Sequence, residues 1–450
     1  MCSYEMQWWV AVEQINPLNT TDVRSLVDDI IRAGQKIADE IEVYIAAGQS
    51  VSAELKKTST GLATGNKTLG LGIRTIEKGK IGISGTNNPM AWKPCLDAAI
   101  ATGKLATEQE WNGLPSPVVQ EHPPLSYDPG LRIDADQAAV LLRGMIEGAG
   151  RYPVQVTSGS ADLSTGGVTM GNSHGILYSS QKTFVSVSLE TIRGQSTGYE
   201  FDQSSTMIPD PGRVGEKAAF FAWHGESGVD VQTGGYDIIL SPVALAQLIG
   251  SVLLPAVNGR NVHAGRSKLA GSLGEQIAGE EISLVDDPFI PGAPGSTYWD
   301  AEGVPSRRID IIASGILNEF LYDLKTAYRY GKKSTGSAVR SGFGGAPSIG
   351  HHNLVLDGPR SPIWYEPAIF VRDVVGAHTA NPMSGDFSVE ISNPSWVKED
   401  DFGTPIRKVM LAGNVFDMLH HVSGISEGNR AVGSMLLPEI RLSSQKIIGV

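Results

Sequence analysis

The segment from residue 237 to residue 255 constrains the fold of this chain more than any other part. Asp237-Ile238-Ile239-Leu240 has the apolar run of a buried strand. Ser241-Pro242 follows as a helix N-cap with proline at the first helical position, where its missing N–H costs nothing. The helix is then apolar on nearly every side until Pro255, and it contains no His, Asp, Glu or Cys. A helix of this kind lies inside a core, and it offers no side chain that could bind a metal ion.

Turn residues divide the rest of the chain into short segments. Among 450 residues there are 53 glycines and 25 prolines, which indicates many turns and short strands rather than a helical bundle. Apolar periodicity predicts helices near 22–37, 90–103, 134–148, 212–223 and 317–330, with strands between them and a turn at Gly65-Asn66. We therefore predict an α+β fold with an N-terminal extension (1–21), a mixed α+β domain (22–225) and a strand-rich C-terminal domain (226–450).

Charge and cysteine content narrow the possible partners and the compartment. The formal net charge of −12 disfavours a nucleic-acid partner, because phosphate binding needs a basic surface. Cys2 and Cys95 are too few for a disulfide framework, which favours a reducing compartment. No apolar run reaches the roughly 18 residues of a membrane span. These features predict a cytoplasmic protein without a membrane partner.

Six short motifs occur in a fixed order along most of the chain. They are Gly171-Asn172-Ser173-His174-Gly175; Ser267-Lys268-Leu269 with Ser272-Leu273-Gly274-Glu275-Gln276; Trp299-Asp300-Ala301-Glu302-Gly303 with Arg307-Arg308; Ser314-Gly315-Ile316-Leu317; Lys333-Ser334-Thr335-Gly336; and Gly433-Ser434-Met435-Leu436-Leu437-Pro438-Glu439. Each motif alone is unspecific, but their order resembles the TldD/PmbA family, also called the modulator of DNA gyrase or peptidase U62 family. The resemblance runs from about residue 22 to the C-terminus.

This resemblance implies a metal site in one branch of the family only. The TldD branch resembles a zinc peptidase, with two histidine ligands and a glutamate base in a HExxxH helix and a cysteine near the C-terminus. Aligned without gaps, the HExxxH positions fall on Gly250, Ser251 and Pro255, and the cysteine position falls near Ser423. None of these residues can supply a zinc ligand or a general base of the required kind. The chain is therefore similar to the PmbA branch, also called TldE, which lacks the metal site.

The resemblance to the PmbA branch implies a subunit without catalytic residues, metal or cofactor of its own. A TldD-like partner in a heterodimer would hold the zinc, while this chain shapes the chamber and holds an extended peptide during proteolysis of unfolded peptides or small proteins. Main-chain hydrogen bonds at a sheet edge suit such a substrate. The candidate residues for the substrate groove are Asn172, Ser173, His174, Asp300, Glu302, Ser334 and Thr335.

Each of these candidates also has a plainer interpretation. The turn around His174 suits a hairpin with local hydrogen bonds, and a turn after the helix predicted over 317–330 is the simpler explanation of Ser334-Thr335. Asp300 and Glu302 suit acid–base catalysis, but nearby Arg307 and Arg308 favour an ion-paired loop. The adjacent pairs His351-His352 and His420-His421 are poor metal sites, because neighbouring side chains diverge on a strand or a helix.

Two other functions remain compatible with the sequence. The chain could be a stand-alone hydrolase that uses Asp300, Glu302, His174 or a histidine-bound metal. Alternatively, it could be a homodimer with a structural or peptide-binding role and no enzymatic activity. Metal content would separate the metal-dependent hydrolase from the other possibilities.

Overall fold

The computed structural model describes residues 20–118, 122 and 125–449. The predicted N-terminal extension therefore lies almost entirely outside the described residues. Within them, the chain builds one sheet before residue 205 and further sheets after residue 233. The predicted α+β fold with a strand-rich C-terminal half is confirmed.

The described N-terminal half forms a six-stranded antiparallel sheet in the order β3-β2-β1-β4-β5-β6. Its strands are β1 (Glu40–Lys56), β2 (Ser59–Glu77), β3 (Lys80–Thr86), β4 (Gln155–Asn172), β5 (Leu177–Arg193) and β6 (Ser196–Ser204). Its helices are α1 (Thr20–Gly34), α2 (Trp92–Leu105), α3 (Ala135–Ala149) and α4 (Gly212–His224). The helices predicted near 22–37, 90–103, 134–148 and 212–223 are thus confirmed.

All four of these helices cover the same face of the sheet. Ile41 and Val43 of β1 pack against α1 and α2, and Ala53 and Leu55 of the same strand pack against α3 and α4. Because side chains alternate along a strand, these odd-numbered residues share one face. The even-numbered residues, including Glu42, point to the opposite face, where the C-terminal half lies.

The predicted turn at Gly65-Asn66 is wrong, because one long strand runs through it. Gly65 and Asn66 do not form a turn but lie inside β2, paired with Val51 and Ser50 of β1. This part of β2 is exposed and rich in small polar residues, so it lacks the apolar alternation that marks a strand. The antiparallel hydrogen-bond ladder with β1 extends through it because it depends on backbone groups rather than side chains.

The C-terminal half contains two larger sheets among the described residues. The nine-stranded mixed sheet contains β7 (Gly234–Leu240), β14 (Ile369–Val371), β15 (Asp373–Val375), β16 (Asp386–Ser392), β17 (Ser395–Lys398), β18 (Asp401–Pro405), β19 (Val409–Asn414), β20 (Val422–Ile425) and β23 (Ile440–Gly449). The six-stranded sheet contains β8 (Ser283–Asp286), β9 (Ile309–Ala313), β10 (Ile316–Leu317), β13 (Leu354–Asp357), β21 (Arg430–Val432) and β22 (Met435–Leu437).

Smaller elements complete this half of the chain. They are the two-stranded sheet of β11 (Ala338–Val339) and β12 (Ser348–Ile349), and the short helices α5 (Pro242–Leu248), α6 (Leu254–Val257), α7 (Gly259–His263), α8 (Leu324–Arg329) and α9 (Val415–Met418). The helix predicted over 317–330 is limited to α8, because Ile316–Leu317 pairs with β9 instead. Among the described residues, no helix combines the length and apolar character needed to cross a membrane.

The apolar strand and helix at 237–257 lie in the C-terminal core, as their sequence predicts. Ser241 caps α5 by accepting hydrogen bonds from the N–H groups of Val243 and Ala244. The helix does not end at Pro255 but continues to Val257 after a π-turn over Ile249–Leu253. Proline has no N–H to bond one turn back, and the wider turn allows the chain to remain helical around it.

Candidate functional site

Buried charged side chains connect the N-terminal sheet to the loops after residue 299. Arg74 of β2 donates from Nη2 to Glu42 Oε2 at 2.5 Å and from Nη1 to Glu302 Oε1 at 2.6 Å. Arg340 donates to the other oxygen of Glu42. Asp300 accepts three hydrogen bonds, all from backbone N–H groups of the nearby loops, at 2.9–3.0 Å. We call Glu42, Arg74, Asp300, Glu302 and Arg340 the charge cluster.

The charge balance of this cluster favours one bound proton. Three carboxyl groups face two guanidinium groups, so full ionisation would leave one uncompensated negative charge in the interior. Burial raises the pKa of Asp300 to about 8, and the neighbouring Glu302 carboxylate acts in the same direction. Burial also raises the pKa of Glu302, although Arg74 opposes this effect. A proton held by this pair of carboxyls at neutral pH makes the cluster electrically neutral.

The expected ion pairing occurs for Glu302 only, and with a different partner. Arg307 pairs with Glu319, and Arg308 lies near Asp287 and Asp310, so neither arginine reaches Glu302. Arg74, which is 228 residues away in sequence, takes that place. Asp300 is 2% exposed and Glu302 is fully buried. Glu302 therefore joins two distant parts of the chain, and both side chains are buried.

The turn at 171–175 forms local hydrogen bonds, as the interpretation of this motif as a hairpin turn predicts. Asn172, 2% exposed, accepts from the N–H groups of His174 and Ile176. Ser173 Oγ accepts from the N–H of Ile41 at 3.1 Å. The His174 ring is partly exposed, and its Nε2 lies 2.7 Å from Glu40 Oε1. His174 and Glu40 line a cavity of about 790 Å³. Among the groove candidates in this motif, His174 is therefore the one whose side chain faces a cavity.

Ser334 and Thr335 hold the loop after α8. The hydroxyl groups of both residues donate to the carbonyl oxygen of Tyr322, and Thr335 Oγ1 accepts from the N–H of the same residue. Thr335 is 1% exposed. Of the seven groove candidates, Asn172, Asp300, Glu302 and Thr335 are thus buried. Their assignment to a substrate groove stays a prediction, and their hydrogen bonds account for them structurally.

A cleft of about 1140 Å³ lies between α4 and segments of the C-terminal half. One wall is formed by α4, and the other walls come from residues 360–364, 400–402 and 426–439. Aromatic side chains from both halves meet in it, namely Phe220, Phe221, Trp364, Phe370 and Phe402. We call this cavity the aromatic cleft.

A Ser–His–Asp arrangement lies at one edge of the six-stranded sheet. Nδ1 of His352 lies 3.1 Å from Asp286 Oδ2, and Nε2 of His352 lies 3.2 Å from Ser306 Oγ. Asp286 ends β8, and the other two residues precede the neighbouring strands β13 and β9. His351 points elsewhere, to Ser434 Oγ at 2.9 Å, as expected for adjacent residues. The geometry matches a nucleophile, base and orienting acid, but Ser306 is only 8% exposed.

Comparison with known proteins identifies the family of this chain. Residues 128–222 match the model of the PmbA/TldA metallopeptidase central domain, and residues 233–449 match that of its C-terminal domain. This chain belongs to the PmbA/TldD family. The resemblance inferred from its six motifs is confirmed.

Relatives of this PmbA/TldD chain match it over nearly its whole length. Uncharacterized protein MJ0231 of Methanocaldococcus jannaschii is 29% identical, covering 92% of this chain and 98% of the relative. The Metalloprotease PmbA homolog of Haemophilus influenzae is 26% identical, with 94% and 96% covered. The crystal structure of TldE from Thermococcus kodakarensis superposes with a TM-score of 0.87 at 27% identity, covering 94% of this chain and all of that one.

The positions that the family resemblance aligns with the HExxxH motif and the late cysteine of the TldD branch are Gly250, Ser251, Pro255 and Ser423. Gly250 and Ser251 lie in the π-turn, and Pro255 follows in α6. Ser423 on β20 is exposed, and its hydroxyl donates weakly to the carbonyl of Arg441 at 3.4 Å. Within the described residues, no group of three or more His, Cys, Asp or Glu is arranged to hold a metal ion. The residues present at these positions therefore do not fit zinc.

Sequence patterns missed three groups of residues. Glu42 and Arg74 lie on the face of their strands opposite the apolar residues, a pattern that indicates solvent exposure. Their burial depends on loops more than 200 residues away. The Asp286, Ser306 and His352 arrangement and the aromatic cleft likewise join distant segments, so no local spacing marks them.

Proposed function

We propose that this chain is the metal-free partner subunit of a TldD/TldE-type zinc metallopeptidase. A TldD-like subunit supplies the zinc and the general base, while this chain shapes the chamber and holds an extended peptide during proteolysis. The observation that carries the proposal is the set of residues at the ligand positions, Gly250, Ser251 and Pro255, in a family whose members include named metalloproteases. Hydrolysis by zinc needs both ligands and a base, and these residues offer neither.

The experiment that tests this function compares the chain alone, a TldD-type subunit alone and their mixture. We expect substoichiometric zinc in the isolated chain after preparation without chelator, and no cleavage of a denatured polypeptide. We expect the mixture to cleave the polypeptide much faster than either subunit, because the partner supplies the metal and this chain completes the substrate chamber.

A matched control uses a TldD-type subunit whose HExxxH glutamate is replaced by glutamine. The mixture with that variant should lose cleavage, while size-exclusion chromatography should still show the heterodimer. Stoichiometric zinc in this chain alone, or cleavage by it at the rate of the mixture, would contradict the proposal. A homodimer that does not bind the TldD-type subunit would contradict the partner role.

A stand-alone serine hydrolase is the second candidate, favoured by the Asp286, His352 and Ser306 geometry. A fluorophosphonate probe should not label Ser306 in the folded chain, because the hydroxyl is nearly buried and hydrogen-bonded. Ser337→Ala is the matched control, since Ser337 is a buried serine outside this arrangement. Labelling that Ser306→Ala abolishes and Ser337→Ala preserves would establish the hydrolase instead.

A further inference from the structure

The aromatic cleft has an apolar floor built from both halves of the chain. The ring of Phe402 lies at its centre, 5.4 Å from Phe220, 5.2 Å from Trp364 and 5.1 Å from Phe370. Phe220 and Phe402 are only partly buried, so their rings present apolar surface to the cleft. Aromatic rings arranged in this way favour an apolar or aromatic side chain of a ligand.

Unpaired cations lie near the start of α4. Arg213 and Lys217 are exposed and line the cleft, and neither side chain has an ion pair within the described part of the chain. Positions four apart on a helix share a face, which also carries Phe220 and Phe221. By contrast, Glu216 of the same helix is already paired with Arg151. This end of the cleft is therefore suited to a carboxylate.

Acidic side chains lie near the other end of α4. Asp400 and Asp401 line the cleft, and neither forms an ion pair within the described residues. The ring of the adjacent Phe402 contacts His224, the last residue of α4, at 6.1 Å between centroids. Asp401 acts electrostatically on His224, which places its carboxylate near this end. An ammonium or guanidinium group of a ligand would be stabilised there.

The cleft thus has a cationic end, an aromatic middle and an acidic end. From Arg213 to His224 the helix rises about 16 Å, at 1.5 Å per residue. An extended peptide covers that length with about five residues, at roughly 3.3 Å per residue. The order and spacing of the charges match a short peptide with a basic group at one end and an acidic group at the other.

Glu439 adds a polar contact beside the aromatic floor. Its Oε2 accepts a hydrogen bond from Trp364 Nε1 at 2.6 Å, and its other oxygen has no hydrogen-bond partner within the described residues. Burial raises the pKa of Glu439, while the hydrogen bond from Trp364 and the positive charges of Lys217 and Arg430 oppose this effect. The wall near it is fixed, because Arg372 and Arg430 both bind Glu200. The free oxygen of Glu439 can therefore accept a hydrogen bond from a peptide N–H group without a large rearrangement of the wall.

We propose that the aromatic cleft binds an extended peptide of about five residues, with an aromatic or large apolar side chain in the middle, an acidic end toward Arg213 and Lys217, and a basic end toward Asp400 and Asp401. The site deepens the proposed function, on which its biological meaning rests, by naming the class of peptide that the subunit holds. It also places substrate in the aromatic cleft rather than at the buried motif residues.

The test is calorimetric titration of the isolated full chain with capped five-residue peptides. The reference probe is acetyl-Lys-Ala-Phe-Ala-Glu-amide, which carries both charges and the aromatic side chain. We expect replacement of its Phe by Ala to weaken binding about tenfold, because the aromatic contact is lost. Replacement of its Glu by Lys should weaken binding about two- to fivefold, an effect that salt reduces.

A charge-reversal variant tests the site by a reversed peptide preference, which a misfolded protein would not show. In the double variant Arg213→Glu with Lys217→Glu, the peptide with Lys at both ends should bind better than the reference probe, reversing the wild-type preference. Both substituted positions are exposed, and Lys104→Glu on α2 is the matched control that should change neither preference. Absence of saturable binding up to about 1 mM, where even weak sites show occupancy, would overturn the proposal.

Two further outcomes would also overturn it, namely equal binding of the Phe and Ala probes or an unchanged charge preference in the double variant. The titration contains no TldD-type subunit. A negative titration therefore does not bear on the partner role, which the mixing experiment tests separately. Conversely, peptide binding with no stimulation of a TldD-type subunit would support the cleft and contradict the proposed function.

Discussion

Replacement of Arg74 by methionine is expected to lower the free energy of unfolding by about 3–5 kcal/mol. The guanidinium is 3% exposed and hydrogen-bonds the buried carboxylates of Glu42 and Glu302. Methionine keeps much of the volume but leaves Glu302 without a cation and Glu42 with Arg340 alone. Urea unfolding at pH 7, followed by tryptophan fluorescence, measures the loss.

The control for this prediction is Arg32→Met, which removes another arginine from an ion pair of similar length. Arg32 pairs with Asp29 at 2.5 Å, but its side chain is 71% exposed. We expect a loss below about 1 kcal/mol there, because solvent screens the pair. Adding Glu302→Gln to Arg74→Met should recover part of the stability, because it removes the carboxylate left without a cation, while Glu42 keeps its pair with Arg340. Equal losses for the two arginine variants would show that the charge cluster does not stabilise the fold.

Asp300→Asn is expected to change how stability depends on pH. The pKa of Asp300 is raised by burial from its ordinary value of 3.8 to about 8, so the folded state holds a proton that the unfolded state releases. Between these values the unfolded state binds fewer protons, and the wild-type stability therefore falls as pH rises. The slope is about 1.4 kcal/mol per pH unit at most and flattens above about pH 8.

Asparagine carries no titrating proton, so the variant should lose this contribution to the slope. The stability of Asp300→Asn relative to wild type should rise steadily from pH 5 to pH 8, measured by urea unfolding at each pH. The altered hydrogen bond with the N–H of Ala338 adds an offset that does not depend on pH. Asp97→Asn, at an exposed position on α2, should show no such trend. Parallel pH profiles for wild type and Asp300→Asn would contradict the assignment of the proton.

The charge cluster and the aromatic cleft depend on the same pairing of the two halves. The cluster joins β1 and β2 to loops after residue 299, and the cleft opens between α4 and the C-terminal half. The Glu200, Arg372 and Arg430 contacts add a second charged connection beside the cleft. Buried ion pairs are demanding in geometry, so they suit the role of fixing one relative placement of packed surfaces.

Several elements could be read from the sequence because their signals are local. Ser241-Pro242 and the apolar residues after it predict a capped, buried helix, and the structure has that cap. The long strands were harder to predict. Gly65 and Asn66 continue β2 because hydrogen bonds to β1 hold the backbone, and no side-chain pattern records that partner.

The residues of the candidate site also differ in how much the sequence alone reveals about them. The lack of donors at Gly250, Ser251 and Pro255 is a property of residue types, which sequence states directly. The environment of Glu302 was different, because the sequence favoured an ion pair with nearby Arg307 and Arg308 and gave no sign of a buried bridge. Only the approach of Arg74 across 228 residues distinguishes these environments.

Residue identity alone decided the family, the α+β character and the residue types at Gly250, Ser251 and Pro255, since periodicity, capping and donor chemistry act over a few neighbouring residues. Tertiary structure decided which charges are buried, where an extended ligand has room, and which serine meets a histidine. Those properties depend on distances and solvent exclusion between segments that are remote in the chain, and such quantities arise only when the segments pack together.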